Sequence, residues 1–269
     1  IKKWVEKMSN FEYKKSLGQN FLKDQNIINK ISSSINPSNK DLVIEIGPGS
    51  GALTKELVKK DTNIICFEID NRLESTLKEL EKNNNNLKVI FKDFLSININ
   101  DYIDKDKYDK LYFIGNLPYY ITTAIINKII NETTPFEIVI MIQKEVADRF
   151  NAKPNTRDYG SISVFLQYNF DIEKICDVSK NCFEPVPKVD SSVIKFKSIN
   201  KYKDKVKDEQ KLYKLIKDSF THKRKNLRNN LINYDIDKIN EILKKYNKDL
   251  TTRAESLSID EFIDISNNI

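Results

Sequence analysis

Between residues 24 and 150 short apolar runs alternate with amphipathic stretches, and this alternation constrains the fold more than any other feature of the chain. Ile27, Ile28, Ile31 and Ile35 recur at the spacing of one helical face. A continuous apolar run at 42–46 then stops at Gly47 and reads as a buried strand. A helix at 53–60, a strand at 63–68, a helix at 72–82 and strands at 87–91 and 110–114 follow. After them come a helix at 122–131, a strand at 136–142 and a helix at 144–150. Strands separated by helical crossovers imply a parallel sheet with helices on both faces. The run 161–170 fits either period, and its length and placement favour a helix; 172–178 and 192–197 read as strands flanking the Pro185/Pro187 loop. After Ser198 the strand patterns stop, and charged helical ones take over near 208–220, 236–246 and 259–266. The expectation is therefore a seven-stranded, mostly parallel α/β domain over residues 1–200 and a small all-helical domain over 201–269.

Composition removes several function classes. The 3 cysteines, Cys66, Cys176 and Cys182, form no CxxC pair, and the single histidine, His222, lies far from them. That excludes a disulfide framework and argues against a metal site. A Ser-His or Cys-His hydrolase is disfavoured too, because His222 sits inside a run of lysines and arginines. No stretch approaches the ~20 apolar residues that span a bilayer, so no membrane partner is expected. No secretory leader is read ahead of the fold, although a start on Ile1 leaves room for an upstream segment. The net charge of +6 is unevenly spread. Residues 201–231 hold 11 Lys and Arg against 4 Asp and Glu, which leaves the remainder close to neutral. Segregated basicity suits a polyanion. The competing reading is a solvated face, since 39 of the 45 basic residues are Lys and Asn is abundant, as AT-rich coding produces.

Chemistry-bearing residues gather at strand ends. Glu45-Ile46-Gly47-Pro48-Gly49-Ser50-Gly51-Ala52 closes the first strand of the sheet, where glycines let a ligand approach the backbone and the next helix points its N-terminus at it. The loop fits a dinucleotide fingerprint and a methyltransferase loop equally well, and a plain turn is the bland alternative. Glu68, 21 positions after Gly47, ends the next strand where an acid accepts a ribose diol. Asp93-Phe94 follows the third, an acid for an adenine amine and a ring to pack on the base. Asn116-Leu117-Pro118-Tyr119 closes the fourth. An exocyclic amine on a base is a poor nucleophile because its lone pair is delocalised into the ring. The Asn116 side-chain oxygen and the Leu117 carbonyl would take its hydrogens and favour a pyramidal nitrogen, Pro118 would stiffen the turn, and Tyr119 would stack on an extruded base. No general base is then needed, because the methylated ammonium gives its proton to water, and positioning does most of the work. In Phe183-Glu184-Pro185-Val186-Pro187-Lys188-Val189-Asp190-Ser191 two prolines would hold Phe183 out as a second stacking ring. A core Phe beside a proline-rich connection is the alternative.

With these residues in place the chain resembles, over nearly its whole length, the bacterial small-subunit ribosomal RNA adenine N6,N6-dimethyltransferases of the KsgA/RsmA type. The blocks that carry the resemblance are Lys15-Ser16-Leu17-Gly18-Gln19-Asn20-Phe21-Leu22, the Glu45 to Gly51 loop, Asn116 to Tyr119, Gln143-Lys144-Glu145-Val146-Ala147 and Phe183 to Ser191. His222-Lys223-Arg224-Lys225-Asn226-Leu227-Arg228-Asn229 and Arg253-Ala254-Glu255-Ser256-Leu257-Ser258 complete the set. The resemblance implies a Rossmann-like class I methyltransferase fold, S-adenosyl-L-methionine as cosubstrate and no metal. It implies that Asn20, Leu22, Gly47, Glu68, Asp93 and Asn116 bind the cosubstrate, with Gln19, Glu45 and Gly49 beside them. Asn116, Leu117, Pro118, Tyr119 and Phe183 are the implied catalytic set. The substrate class is a pair of adjacent adenosines in a hairpin near the 3′ end of small-subunit RNA, met in an immature small subunit whose assembly the protein also checks. A monomer in the bacterial cytoplasm, or in an organelle of bacterial descent, is implied as well.

Lys223, Arg224, Lys225 and Arg228, on one helical stretch, would grip phosphates without reading bases. The nearest rival is the related large-subunit (23S) methyltransferase family of the macrolide-resistance type. Those enzymes usually carry Ile where this chain has Leu117, and lack the 143–147 wording and the Lys223-Arg224-Lys225 block. Other readings are an assembly factor in which methylation is secondary, a methyltransferase of proteins or small molecules, and a nicotinamide dehydrogenase. The last two leave the basic tail and the stacking rings unexplained.

Overall fold

The computed structural model describes Tyr13 and residues 18–104 and 106–269. The Lys15-Ser16-Leu17 part of the first matching block lies outside them. The elements run β1 (Phe21–Leu22), α1 (Gln25–Ser33), β2 (Leu42–Ile46), α2 (Thr54–Leu57), β3 (Asn63–Glu68), α3 (Glu74–Lys82), β4 (Leu87–Phe91), β5 (Leu111–Asn116), α4 (Thr122–Glu132) and β6 (Glu137–Gln143). They continue with α5 (Lys144–Phe150), α6 (Ser161–Asn169), β7 (Phe170–Val178), β8 (Phe183–Glu184), β9 (Ser191–Ser198), α7 (Glu209–Ser219), α8 (Leu227–Asn230), α9 (Ile236–Lys244) and α10 (Ile259–Asn268).

Seven strands form one sheet in the order β4-β3-β2-β5-β6-β9-β7. The pairs β2/β3, β3/β4, β2/β5 and β5/β6 are parallel. The chain thus builds outward from β2 through β3 to β4, then returns to the other side of β2 with β5. The crevice between the ends of β2 and β5 is the reversal point of the strand order, where open α/β sheets bind ligands. Gly47 leaves β2 there, and Asn116 ends β5 beside it. β2 is buried throughout, as the continuous run Leu-Val-Ile-Glu-Ile requires of a central parallel strand. A separate two-stranded antiparallel ladder pairs β1 with β8.

Local signals explain the helix ends. Asp24 caps α1 by accepting from the backbone N–H of Asn26 at 2.9 Å and of Ile27 at 3.1 Å. The helix buries Ile27, Ile28 and Ile31 on one face. α10 starts with a capping box between Ser258 and Glu261. The helix after the glycine loop is shorter than its pattern suggests. α2 keeps one turn, Thr54–Leu57, so the loop is not followed by a long helix aimed at the cleft.

The chain divides into two compact units. The first takes the described residues up to Lys144 together with Lys174–Lys195; the second takes Glu145–Glu173 and Phe196–Ile269. The break expected near residue 200 is revised to that extent, because α6 brings Val164 and Tyr168 into one buried cluster with Leu212, Leu215 and Ile263. Tyr159 joins it and donates its hydroxyl to the Leu257 carbonyl at 3.0 Å. In the first unit Val43, Ile64, Cys66, Tyr112, Ile114 and Met141 belong to a separate core cluster. No helix among the described residues is long and apolar enough to cross a membrane.

Candidate active site

Beside the reversal point lies a cleft of about 940 Å³, counting the part open to solvent. Its walls come from residues 18–22, the glycine loop, the end of β3 and the turn after β5. Gln19, Asn20, Leu22, Glu45, Gly47, Gly49, Glu68, Asn116, Leu117, Pro118 and Tyr119, expected from the sequence to share one site, all line it.

The glycine loop is shaped by the contacts around it. Gly49 takes φ +56°, and a Cβ there would meet the Phe21 ring at 2.6 Å, so no side chain fits. Its N–H donates to Glu68 Oε2 at 2.9 Å, and Glu68 Oε1 accepts from the Asp70 N–H at 2.9 Å. Burial raises the Glu68 pKa, with those two N–H groups working against the shift. Glu45 is buried beneath the loop and accepts from Thr54 Oγ1 at 2.7 Å and Cys66 Sγ at 3.3 Å. Burial pushes its pKa up to about 7. The same burial, with Glu45 beside it, pushes the Cys66 thiol well above its ordinary value. Asp70 behaves oppositely: paired with the Arg72 guanidinium at 2.6 Å, its carboxyl is held down at about 2.

Asn116 is placed by a close approach the sequence reading passed over. A Cβ on Gly115 would lie 2.5 Å from the Ile46 carbonyl oxygen, so glycine is what lets β5 end tightly against β2. A lone glycine directly after the strand pattern at 110–114 was the available sign. Asn116 Nδ2 donates to the Asn20 carbonyl at 2.8 Å. The opposite assignment would set the amide oxygen against a carbonyl, so this bond fixes which end of the amide is which. No described residue donates to Asn116 Oδ1 or to the Leu117 carbonyl, which leaves two acceptors at the end of one strand. The Pro118 carbonyl is taken by the Ile121 N–H at 3.2 Å, which closes the turn. Tyr119 shares a 2.7 Å hydrogen bond with Ser191 Oγ, and burial raises its pKa.

Three expected features are placed differently. Phe183 is not held out by the proline loop: it is fully buried, with Leu22 opposite it in the β1/β8 ladder. Its ring completes the core of the first unit, so the second stacking surface is not offered there. Phe94 packs edge-on against Phe67 at 5.5 Å, inside the protein. Asp93 does not line the cleft; its Oδ1 accepts from the Leu95 N–H at 2.9 Å. The basic residues are exposed, but Lys223, Arg224 and Lys225 lie in a turn and only Arg228 is helical, in the single turn α8. Asn226 caps that turn and so breaks the continuous helix expected there.

The walls fit S-adenosylmethionine. A Cβ on Gly47 would meet nothing within 4 Å, so backbone and space are open to a ligand there. Glu45 and Glu68 put carboxyl groups beside that space, suited to a cationic sulfonium and a ribose diol. Ile69, half-exposed on the same wall, offers a flat apolar contact for a base. No group of three or more potential metal-ligating side chains occurs among the described residues.

Comparison with known proteins agrees with this reading. The family model for ribosomal RNA adenine dimethylase matches residues 10–269. The chain is 43% identical to ribosomal RNA small subunit methyltransferase A of Clostridioides difficile, covering 99% of this chain and 94% of the relative. It is 41% identical to the protein of that name in Bacillus cytotoxicus, covering 98% and 93%. Among solved structures, a dimethyladenosine transferase from Plasmodium falciparum aligns with a TM-score of 0.75 at 24% identity over 91% of this chain and 95% of its own. The 23S rRNA methyltransferase ErmE aligns at 0.73 and 24% over 93% and 99%. These two likenesses bear on the fold, a Rossmann-like methyltransferase sheet with a helical part. Given a family match over nearly every residue and a cleft built for its cosubstrate, the chain belongs to the ribosomal RNA adenine dimethylase family of S-adenosylmethionine-dependent methyltransferases.

Proposed function

We propose that the protein transfers methyl groups from S-adenosylmethionine to N6 of two adjacent adenosines near the 3′ end of small-subunit ribosomal RNA, giving N6,N6-dimethyladenosine. The observation that carries this reading is the pair of unengaged acceptors, Asn116 Oδ1 and the Leu117 carbonyl, at the end of β5 and on the wall of the cleft. The 41–43% identity to small-subunit methyltransferases supports the choice of substrate over large-subunit RNA.

When bound, S-adenosylmethionine supplies an electrophilic methyl group on a sulfonium sulfur. The chain's residues hold and aim the nucleophile. Asn116 Oδ1 and the Leu117 carbonyl accept the two hydrogens of the exocyclic amine and turn its lone pair out of conjugation. Tyr119, its hydroxyl tied to Ser191, presents a ring of fixed orientation to the extruded base. Glu45 accepts from Thr54 and Cys66 on Oε2 beneath the loop, and no general base is called for, because the proton of the methylated ammonium goes to water. A second methylation leaves one hydrogen for one acceptor, so the other must border space for a methyl group. Asn20, Leu22, Gly47 and Glu68, with Glu45 and Gly49 around them, form the cosubstrate site. Arg224, Lys225 and Arg228 supply phosphate contacts from residues 201–269, and the protein acts as a monomer on the immature small subunit in the bacterial cytoplasm. A checkpoint role in subunit assembly accompanies the chemistry.

Methyl-tritiated S-adenosylmethionine, offered with small subunits lacking adenine dimethylation or with protein-free large-subunit RNA, tests this directly. Label should enter the small subunits as N6,N6-dimethyladenosine and fall by at least about 10²-fold in Asn116→Ala, the scale of a lost positioning contact. Label entering only the large-subunit RNA would overturn the substrate assignment.

A further inference from the structure

Residues 18–22 cross the mouth of the cleft as a strap fastened at both ends. At the far end Leu22 pairs with Phe183, and the Lys23 N–H donates to the Cys182 carbonyl at 2.9 Å. At the near end Gln19 Nε2 donates to Asp70 Oδ2 at 2.6 Å. Asp70 is itself gripped by Arg72, whose Nη2 lies 2.6 Å from Oδ2 and whose Nε lies 2.8 Å from Oδ1. The same Nη2 reaches Gln19 Oε1 at 3.4 Å. Asp70 is 4% exposed, so its buried carboxylate makes charge-assisted hydrogen bonds to a guanidinium that itself reaches the surface. Between the two fastenings lies the Asn20 carbonyl, which takes the Asn116 Nδ2 hydrogen at 2.8 Å.

We propose that Arg72, Asp70 and Gln19 are positioning residues for the methyl-accepting site. They set the Asn20 carbonyl, and that carbonyl turns the Asn116 amide so that Oδ1, not Nδ2, meets the substrate amine. This rests on the reading of Asn116 Oδ1 as an acceptor for that amine. An amide turned the other way would present a donor to a donor, and the base could not be held in line. Gln19 therefore serves the chemistry through the backbone of its neighbour, and Asp70, two positions beyond Glu68, belongs to the nucleophile's side of the site.

The test uses steady-state label transfer from methyl-tritiated S-adenosylmethionine to small subunits lacking adenine dimethylation. The variants are Gln19→Glu, Asp70→Asn and the two combined, alongside Asn116→Ala. Gln19→Glu sets a carboxylate against a carboxylate, and Asp70→Asn removes the charge that holds Gln19 and Arg72. Each should lower kcat on the order of 10²-fold, while KM for S-adenosylmethionine changes by less than about threefold. The double variant restores a donor facing an acceptor, with the carboxylate now on the strap and paired to Arg72, and should recover to within about threefold of the parent. Thermal unfolding of each variant separates this from general loosening, which would lower Tm and raise KM together. If Asn116→Ala abolishes transfer while both single variants keep parental kcat, the positioning role is wrong and the assignment of Asn116 stands. If Asn116→Ala keeps parental kcat, the acceptor reading fails first and takes this one with it. A loss in the single variants that the double variant does not repair also overturns the proposal.

Discussion

Glu45 shows how one buried group shapes the response of the whole site to pH. Its folded pKa of about 7 stands above the ordinary value of 4.5, so folding favours the protonated form. Glu45 is therefore least costly to the fold below pH 4.5, and stability is lost as pH rises to about 7, by about 3 kcal/mol in all. Glu45→Gln keeps an acceptor for Thr54 and removes the titration. The difference in unfolding free energy between variant and parent should grow in the variant's favour from about pH 5 to about pH 8, then flatten. Urea unfolding across that range checks this, and a constant difference would show that Glu45 does not titrate in it. At this scale much was legible: Gly47 and Asn116 announce themselves as strand-end residues next to proline or glycine, and Glu68 as the acid that closes the next apolar run. What was hidden depends on packing. Two prolines stiffen a loop without saying which way a neighbouring ring points, and the pairing of Phe183 opposite Leu22 turned that ring inward. Nothing local marks Cys66 as a donor to Glu45, 21 positions away.

Among the elements, the exposed turn before α8 is where charge and conformation meet. Lys223 spends its ammonium on the Arg157 carbonyl at 2.8 Å, so Arg224, Lys225 and Arg228 are the better candidates for phosphate contact. Replacing those three by Glu should weaken binding to immature small subunits and make the plot of log affinity against log salt shallower by about 2. Methyl transfer to a short RNA hairpin carrying the two adenosines should change far less. Filter binding at several salt concentrations reads the slope, and an unchanged slope would remove the turn from the interface. Lysine spacing alone marked this segment as basic but could not tell a helix from a turn. The information lay in Asn226, which accepts from the Asn229 N–H at 3.2 Å and starts α8 late. α2 is similar, since periodicity proposes a length and the surrounding packing trims it to Thr54–Leu57.

For the molecule as a whole, the decisive fact is that the second unit is discontinuous in sequence. A fragment ending at residue 200 keeps Tyr159, Val164 and Tyr168 but loses Leu212, Leu215 and Ile263, which share their cluster. Uncovering three such side chains costs about 1.5–3 kcal/mol each, a large share of the roughly 5–15 kcal/mol that a domain commonly has. The fragment should bind a hydrophobic dye and unfold without a sharp transition, whereas the full chain should not; a cooperative transition in the fragment at the full chain's urea midpoint would refute this. The strand-helix alternation made the sheet readable, and the loss of strand patterns after Ser198 suggested a break there. That break could not reveal that α6 packs with helices encoded far later in the chain. Distance along the chain also governs the strap at the cleft. Phe21 finds its ladder partner at Glu184, so a growing polypeptide carries the glycine loop and Asn116 long before residue 184 is made. A half-synthesised chain already holds Gln19, Asp70, Arg72 and Asn116, but one end of its strap stays loose until residue 184 is made, so the site closes late in the protein's own synthesis.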